Sequence, residues 1–346
     1  MLRRVRNILT GIALFLLLIL YIQCPRTPSI KGENGKKLRG SIAYLDRITL
    51  GGVKQSILVR GNSRDNPVLL FLHGGPGMPM MYLGYTFQRR LEERFIVVQW
   101  DQRGAGKSYR ADIPVETMNV EQFLSDAVEL ITYLQETFGK DKIYLVGHSW
   151  GSYLGMLLVS RHPSLFHAYV GVGQVANGER ARELQERFIR MRAKETHTEE
   201  AIADIEKNGP ASYEKWLFKF GGVLYKHTSW TPLLVTGLLS AEYSLMDAYN
   251  VARGSAFSSR HMTYNAIDGE LMDVVTAVRV PVFFFLGRHD YVTPSSLSEE
   301  YFNRLDAPAK MIVWFDESAH YPFYEEPEKF AEVMIEGVLL RDYVAP

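Results

Sequence analysis

A serine flanked by two glycines, Gly147 and Gly151, is the pattern in this chain most able to do chemistry. An apolar run over 143–146 precedes it and a helical pattern over 152–161 follows, which indicates a strand, a tight turn and a helix. In that setting Gly-x-Ser-x-Gly forms a sharp turn that exposes the serine hydroxyl above the edge of a sheet. Ser149 is therefore the candidate nucleophile.

A serine hydroxyl is a weak nucleophile at neutral pH, so it needs a general base that is itself oriented by a carboxylate. With this kind of turn, the partners follow in the order serine, acid, histidine, each after a strand. Asp290 follows the apolar run 280–286, and His320 follows the run 310–315. We expect His320 to act as general base and then acid, with Asp290 orienting it. Two rival acids, less suited to reach across a sheet edge, lie close to the histidine in sequence: Asp316 and Glu317.

Acyl transfer also needs hydrogen-bond donors for the oxyanion of the tetrahedral intermediate. One donor is expected to be the backbone N–H after the nucleophile, here that of Trp150, and the other to come from a loop after an early strand. The His-Gly-Gly-Pro-Gly loop over 73–77 follows the apolar run 68–72. Gly75 is the preferred second donor, and Gly74 is its rival.

Two glycine-rich stretches resemble nucleotide-binding loops but lack required features. Residues 104–108 resemble the end of a phosphate-binding loop, but Asp101 stands where its first glycine is needed. Residues 171–176 loosely fit a dinucleotide fingerprint without the strand–helix–strand unit around it. Neither stretch predicts a nucleotide site.

Composition excludes some classes of function. Lys plus Arg and Asp plus Glu each total 39 in 346 residues, so no net positive charge favours nucleic acid. With 47% hydrophobic residues the chain is able to bury a large core. A single cysteine, Cys24, allows no intrachain disulfide.

The N-terminus has the pattern of a membrane anchor. Residues 1–7 form a short basic tail, and 8–24 are seventeen residues without a charge. As a helix this run would be about 25 Å long, at the short end of what spans a bilayer. No small-residue cleavage site follows it, so we expect an uncleaved single-pass transmembrane helix and a polar linker over 25–40. The basic tail favours a catalytic domain outside the cytoplasm.

The remaining pattern alternates strands and helices, which predicts a mostly parallel, eight-stranded α/β sheet. Alternating runs over 41–50 and 53–60 predict a β-hairpin, and 119–138 predicts an amphipathic helix. The rhythm breaks over 176–263, where helical patterns with charged faces predict a cap over the active site. The core then comprises the two segments on either side: 41–175 and 264–346.

Together these motifs resemble those of the proline iminopeptidase family of α/β-hydrolases. The resemblance rests on the His-Gly-Gly-Pro-Gly loop, Asp-Gln-Arg-Gly at 101–104, Gly-His-Ser-Trp-Gly at 147–151, and the segments that carry Asp290 and His320. It implies a serine hydrolase with the α/β-hydrolase fold and a helical cap, without metal or organic cofactor. Hydrolases of this fold that use an aspartate nucleophile are disfavoured because Ser149 holds that position.

The chain departs from that family in two places. His148 stands where iminopeptidases usually have glycine, and a histidine there is common among esterases of the wider superfamily. Members of the family are similar in using cap glutamates to hold the substrate's amino terminus, since an ammonium in a dry pocket needs a carboxylate. Glu242, beside Tyr243 in an otherwise apolar stretch, is the preferred candidate. Four other cap glutamates are alternatives: Glu179, Glu183, Glu186 and Glu214.

The sequence thus predicts an enzyme that cleaves an acyl bond through an acyl-enzyme on Ser149. The first hypothesis is an aminopeptidase of the proline iminopeptidase type acting on small peptides. A carboxylesterase or lipase-like hydrolase of small or lipid esters is the alternative, and a non-catalytic binding protein is a more remote one. The sequence specifies no oligomeric state.

Overall fold

The computed structural model describes residues 24–263 and 269–339. Its centre is an eight-stranded sheet with the strand order β1-β2-β4-β3-β5-β6-β7-β8. The strands are β1 (Ile42–Leu50), β2 (Val53–Gly61), β3 (Val68–Leu72), β4 (Ile96–Asp101), β5 (Ile143–His148), β6 (Phe166–Val172), β7 (Val282–Gly287) and β8 (Lys310–Phe315). The predicted eight-stranded, mostly parallel α/β sheet is confirmed.

Strands β1 and β2 form the predicted hairpin, with Leu50 opposite Val53 across the turn. Gly51 and Gly52 both have positive φ angles, of 51° and 77°, which a tight hairpin turn requires and glycine adopts without strain. Strand β2 runs antiparallel to β4, and every pairing from β4 to β8 is parallel. Because parallel strands end at the same edge, the loops after β3, β5, β7 and β8 meet there.

Helices cover both faces of the sheet. In chain order they are α1 (Gly84–Phe87), α2 (Val120–Phe138), α3 (Trp150–Arg161), α4 (Gly178–Glu195), α5 (Glu199–Asn208), α6 (Tyr213–Lys219), α7 (Thr231–Leu238), α8 (Leu245–His261), α9 (Leu271–Val274), α10 (Ser295–Arg304), α11 (Pro322–Glu325) and α12 (Pro327–Glu332), with a π-helical turn over Val333–Leu339. Alternate strand residues enter different apolar clusters: Leu70 joins one, whereas Leu69 and Phe71 join the other. The core therefore has a layer on each side of the sheet.

Helix α2 confirms its sequence prediction to within one residue. The Asn119 side chain caps its first turn by accepting a hydrogen bond from the Gln122 N–H at 3.0 Å. Gly139 ends it in the left-handed conformation, with φ of 63°. Between β6 and β7, all described elements are helices, from α4 to α9.

The predicted single-pass membrane localisation is wrong on the structural finding. Within residues 24–263 and 269–339, no helix combines the length and apolar character needed to cross a bilayer. The segment 8–24, on which the prediction of a transmembrane helix rested, lies outside the described residues except for Cys24. The prediction of an extracytoplasmic catalytic domain depended on that helix and is withdrawn with it.

Candidate active site

Ser149 lies in the tight turn that joins strand β5 to helix α3. Its φ and ψ angles are 53° and −120°, a backbone conformation that is strained for a residue with a side chain. The flanking glycines permit the turn, since a Cβ on Gly147 would lie 2.4 Å from the Gly151 carbonyl oxygen. A Cβ on Gly151 would lie 2.1 Å from the carbonyl oxygen of Leu72. The sharp turn predicted from Gly-x-Ser-x-Gly is therefore a steric requirement of this backbone.

His320 and Asp290 form a buried pair at the ends of adjacent strands β8 and β7. The distance between His320 Nδ1 and Asp290 Oδ2 is 2.8 Å, and each residue is only 3% exposed. Asp290 Oδ1 accepts hydrogen bonds from the N–H groups of Val292 and Thr293, at 2.8 and 3.0 Å. The Thr293 hydroxyl donates to Asp290 Oδ2 at 2.9 Å. These donors hold the carboxylate against the imidazole.

Thr293 has no sequence motif of its own, so sequence reasoning missed it. The usable signal is a hydroxyl residue three positions after the acid, where its side chain can turn back to the carboxylate. The rival acids are placed elsewhere. Asp316 pairs with exposed Arg288 at 2.9 Å, and Glu317 pairs with exposed Lys226 at 2.6 Å.

Gly173, directly after β6, packs against this pair from the other side. Its φ angle is 53°, and a Cβ there would lie 2.9 Å from both His320 Cε1 and His320 Nδ1. The same Cβ would lie 3.1 Å from Asp290 Oδ2. Any side chain at position 173 would displace the imidazole of His320, so the close packing of this pair requires glycine there. The sequence analysis did not identify Gly173.

The loop over 73–77 is held by Gln102, from the Asp-Gln-Arg-Gly segment. The backbone N–H of Gln102 donates to His73 Nε2, and its side-chain amide donates to the His73 carbonyl oxygen, both at 3.0 Å. The Gln102 side-chain oxygen accepts from Trp150 Nε1 at 3.2 Å, which ties the loop to the turn that carries Ser149. Burial lowers the pKa of His73 to about 4, so its ring is neutral and its Nδ1–H donates to the Gly74 carbonyl oxygen at 2.8 Å.

Arg103, the next residue of the Asp-Gln-Arg-Gly segment, anchors that segment to α2 and to the β1–β2 hairpin. Its guanidinium makes a fully buried bidentate pair with Asp126 of α2, at 2.8 and 2.9 Å. It also donates to the carbonyl oxygens of Leu50 and Gly51 in the hairpin turn. A buried guanidinium is stabilised only when its donors are paired, so this arginine fixes the segment over 101–104 relative to α2 and the hairpin.

His148, the residue that departs from the iminopeptidase motif, is buried beside His320. Its Nε2–H donates to the His320 carbonyl oxygen at 2.8 Å, and the two ring centroids lie 4.6 Å apart. Burial, together with the charge that His320 can carry, holds the pKa of His148 well below its ordinary value. Neutral His148 therefore supports the backbone of the residue that we predicted to be the general base.

The His320 loop is also held by two carboxylates at the end of α11. The N–H of Ala319 donates to Glu325 at 2.8 Å, and the hydroxyl of Ser318 donates to Glu326 at 2.7 Å. Glu325 also accepts a hydrogen bond from the N–H of Tyr225 at 2.6 Å, which links the His320 loop to the connection between α6 and α7. Burial raises the pKa of Glu325 to about 7.

A cavity of about 870 Å³ lies between the helices that follow β6 and the edge of the sheet that carries Ser149 and His320. Ser149, His320, Gly74 and Gly75 line its floor, so the predicted nucleophile, base and oxyanion loop share one space. The walls come from α6, α7 and α8 and are largely apolar. Among the described residues that line it, Glu214 is the only acidic side chain, and it accepts a hydrogen bond from Trp230 Nε1 at 3.0 Å.

The two preferred cap residues differ in where they lie. Tyr243 lines the cavity, and its hydroxyl donates to Asp101 at the end of β4. Glu242 is buried outside the cavity lining, where its carboxylate accepts from the Ser240 hydroxyl at 2.9 Å. Its carbonyl oxygen accepts from Lys107 Nζ at 3.1 Å. Tyr243 therefore lines the cavity, and Glu242 does not.

Comparison with known proteins agrees with this geometry. Residues 67–327 match the family described as the alpha/beta hydrolase fold. Over 317 residues the chain is 32% identical to "Probable aminopeptidase YbaC" of Bacillus subtilis, covering 85% of this chain and 96% of that protein. It is 26% identical to a proline iminopeptidase of Heyndrickxia coagulans, over 79% of this chain and 90% of the other. A solved structure of a proline iminopeptidase from Mycobacterium smegmatis aligns with a TM-score of 0.66 at 20% identity, over 87% and 100% of the two chains.

The chain therefore belongs to the α/β-hydrolase fold family and is a hydrolase. Within that family it is a proline iminopeptidase-like α/β-hydrolase, which confirms the resemblance seen in the sequence motifs.

Proposed function

We propose that this enzyme is an aminopeptidase of the proline iminopeptidase type, with Ser149 as nucleophile, His320 as general base and acid, and Asp290 as the orienting carboxylate. The observation that carries the proposal is the cavity, which joins Ser149 and His320 to Glu214, the one acidic side chain among the described residues of its lining. In this proposal residues 176–263 form a cap over the core of 41–175 and 264–346.

The reaction follows from the positions of these groups. As Ser149 Oγ attacks the scissile carbonyl carbon, His320 Nε2 takes the hydroxyl proton, and the Asp290 carboxylate stabilises the imidazolium through Nδ1–H. The backbone N–H groups of Gly75 and Trp150 donate to the oxyanion. His320 then gives the proton to the leaving nitrogen, the C–N bond breaks, and an acyl-enzyme remains. Water, deprotonated by His320, attacks the ester carbon and releases the acid and Ser149.

Glu214 supplies the recognition that separates an aminopeptidase from an esterase. A substrate ammonium that enters a largely apolar cavity loses part of its hydration, and Glu214, which is itself exposed to solvent, offers it a carboxylate partner. The other four candidate glutamates are absent from the lining: Glu179, Glu183, Glu186 and Glu242. Glu214 is therefore the cap residue to which we assign the free amino terminus, in place of Glu242.

The test compares cleavage of L-proline p-nitroanilide with cleavage of its N-acetylated form by the full chain. We expect Ser149-dependent cleavage of the free amine and none of the acetylated compound. Glu214 is exposed to solvent, which screens its charge, so replacing it with glutamine should raise KM by up to about fivefold, because an exposed ion pair contributes up to about 1 kcal/mol.

Two controls make the result specific. Ser149→Ala should abolish both cleavage and labelling by a fluorophosphonate. Glu183→Gln changes an exposed cap glutamate outside the cavity lining and should leave KM unchanged. Equal cleavage of the free and acetylated substrates, or turnover of a short-chain ester without turnover of the amide, would contradict the aminopeptidase proposal and favour the esterase.

A further inference from the structure

Two leucines on helix α7 lie where the cavity meets solvent. Leu234 and Leu238 both line the cavity, yet their side chains are 62% and 64% exposed. A spacing of four residues places them on the same face of the helix. We call this pair the α7 lip. Exposed apolar surface that is continuous with a cavity marks a surface that binds an apolar partner.

The α7 lip begins close to the carboxylate assigned to the substrate's amino terminus. Trp230, which hydrogen-bonds Glu214, immediately precedes α7. From Trp230 to Leu238 the helix rises about 12 Å. Helix α8 adds small and branched apolar residues to the lining: Ala248, Val251, Ala252 and Ala256. An apolar path therefore leads from the amine end of the cavity to its open side.

The chemistry of an aminopeptidase decides which part of the substrate takes this path. The acyl part is one residue, and its free amine is held in the cavity at Glu214. The leaving part is the rest of the substrate, and it has no fixed length, so it must extend through the open side. At that opening it meets the two leucines of the α7 lip.

We propose that the α7 lip binds a long apolar chain on the leaving amine, so that the preferred substrates are N-terminally free aminoacyl amides with an extended apolar leaving group. This inference rests on the proposed aminopeptidase function and deepens it. The substrate class is an amphipathic amide, with a cationic head at Glu214 and an apolar tail across Leu234 and Leu238.

The experiment measures kcat/KM of the full chain on L-prolyl alkylamides with methyl, butyl, hexyl and octyl groups, each below its micelle concentration. A fully buried methylene favours binding by a factor of about four, and the half-exposed lip reduces this to about twofold per methylene. We expect kcat/KM to rise about 16-fold over the four methylenes from butyl to octyl. Release of the alkylamine, separated by chromatography, gives the rate.

A matched pair of variants locates the effect. Leu238→Ser should remove most of the gain in kcat/KM from butyl to octyl. Leu239→Ser is the control, because Leu239 is 72% exposed on the neighbouring surface and lies outside the cavity lining. It should keep the full gain.

The outcomes separate this inference from the function on which it rests. Cleavage of all the amides at one rate would overturn the α7 lip as a chain-binding surface and leave the aminopeptidase standing. If Leu238→Ser and Leu239→Ser lost the gain with chain length equally, the proposal would also be overturned, since the effect would then come from general surface hydrophobicity. No cleavage of any prolyl amide would instead contradict the proposed function.

Discussion

The substitution Gly173→Ala tests whether the close approach of Gly173 to the His320–Asp290 pair sets the geometry of catalysis. The new methyl group would lie 2.9 Å from His320 Cε1 and Nδ1, whereas ordinary contacts of this kind are 3.4–4 Å. The imidazole must therefore move by about 0.5 Å or more. Since a displacement of about 1 Å in an active site can cost about 100-fold in rate, we expect kcat to fall about tenfold or more.

The substitution also has a cost that is unrelated to the imidazole. Gly173 has a φ angle of 53°, and an alanine in the left-handed region costs about 1 kcal/mol in folding free energy. Gly139→Ala isolates that cost, because Gly139 has a φ of 63° and nothing lies within 4 Å of the position that its methyl group would take. We expect both variants to lose about 1 kcal/mol in the free energy of unfolding, with additional loss at Gly173 from overpacking.

The assay combines steady-state cleavage of L-proline p-nitroanilide, fluorophosphonate labelling of Ser149 and urea unfolding. Gly173→Ala should fold, label slowly and turn over slowly, whereas Gly139→Ala should label and turn over at the wild-type rate. Full activity of Gly173→Ala would refute the reasoning, because it would mean that the His320 ring moves freely without loss of function. Equal loss in both variants would assign the effect to backbone strain.

Three further predictions concern the supports of the site. His148→Ala should leave the buried carbonyl oxygen of His320 without its hydrogen-bond donor. We expect this variant to lose about 1–3 kcal/mol in the free energy of unfolding and to have a lower kcat. His148→Gln keeps a donor and should recover most of the activity. Thr293→Val removes the hydroxyl bound to Asp290 and should lower kcat about tenfold, with Thr293→Ser near wild type; an unchanged rate for valine would exclude a positioning role. Burial raises the pKa of Asp101 from 3.8 to about 7. Between these pH values the folded protein holds a proton on Asp101 that the unfolded chain releases. The stability that this bound proton contributes is therefore lost as pH rises from about 4 to about 7. Melting temperatures should decrease less steeply with pH in Asp101→Asn than in wild type, and parallel curves would contradict the assignment.

The motif residues of the site were readable because their chemistry is local. Gly-x-Ser-x-Gly fixes its own turn, since the two glycines are the only residues that fit between β5, α3 and β3. Asp290 and His320 follow apolar runs, and parallel strands deliver their carboxyl ends to one edge. The hairpin at Gly51 and the caps of α2 are equally local signals.

The Asp-Gln-Arg-Gly segment shows where sequence reasoning stopped. Its spacing contributed to the family resemblance but gave no role, because its partners are remote in the chain. Gln102 bonds to His73 and Trp150, and Arg103 pairs with Asp126. Contacts of this kind form only when the sheet brings separate loops together.

The amino-acid sequence was sufficient to identify the fold family and the candidates for nucleophile, base and acid, because those depend on turn sterics, strand periodicity and chain order. Which acidic side chain reaches the cavity became visible only in the folded chain. Glu242 had the more distinctive sequence surroundings, yet it is turned toward Ser240, and Glu214 lines the cavity instead. Glu214 lies on α6 and Glu242 in the loop between α7 and α8, so which of them faces the cavity depends on how these helices pack against the core, and local sequence does not specify that packing.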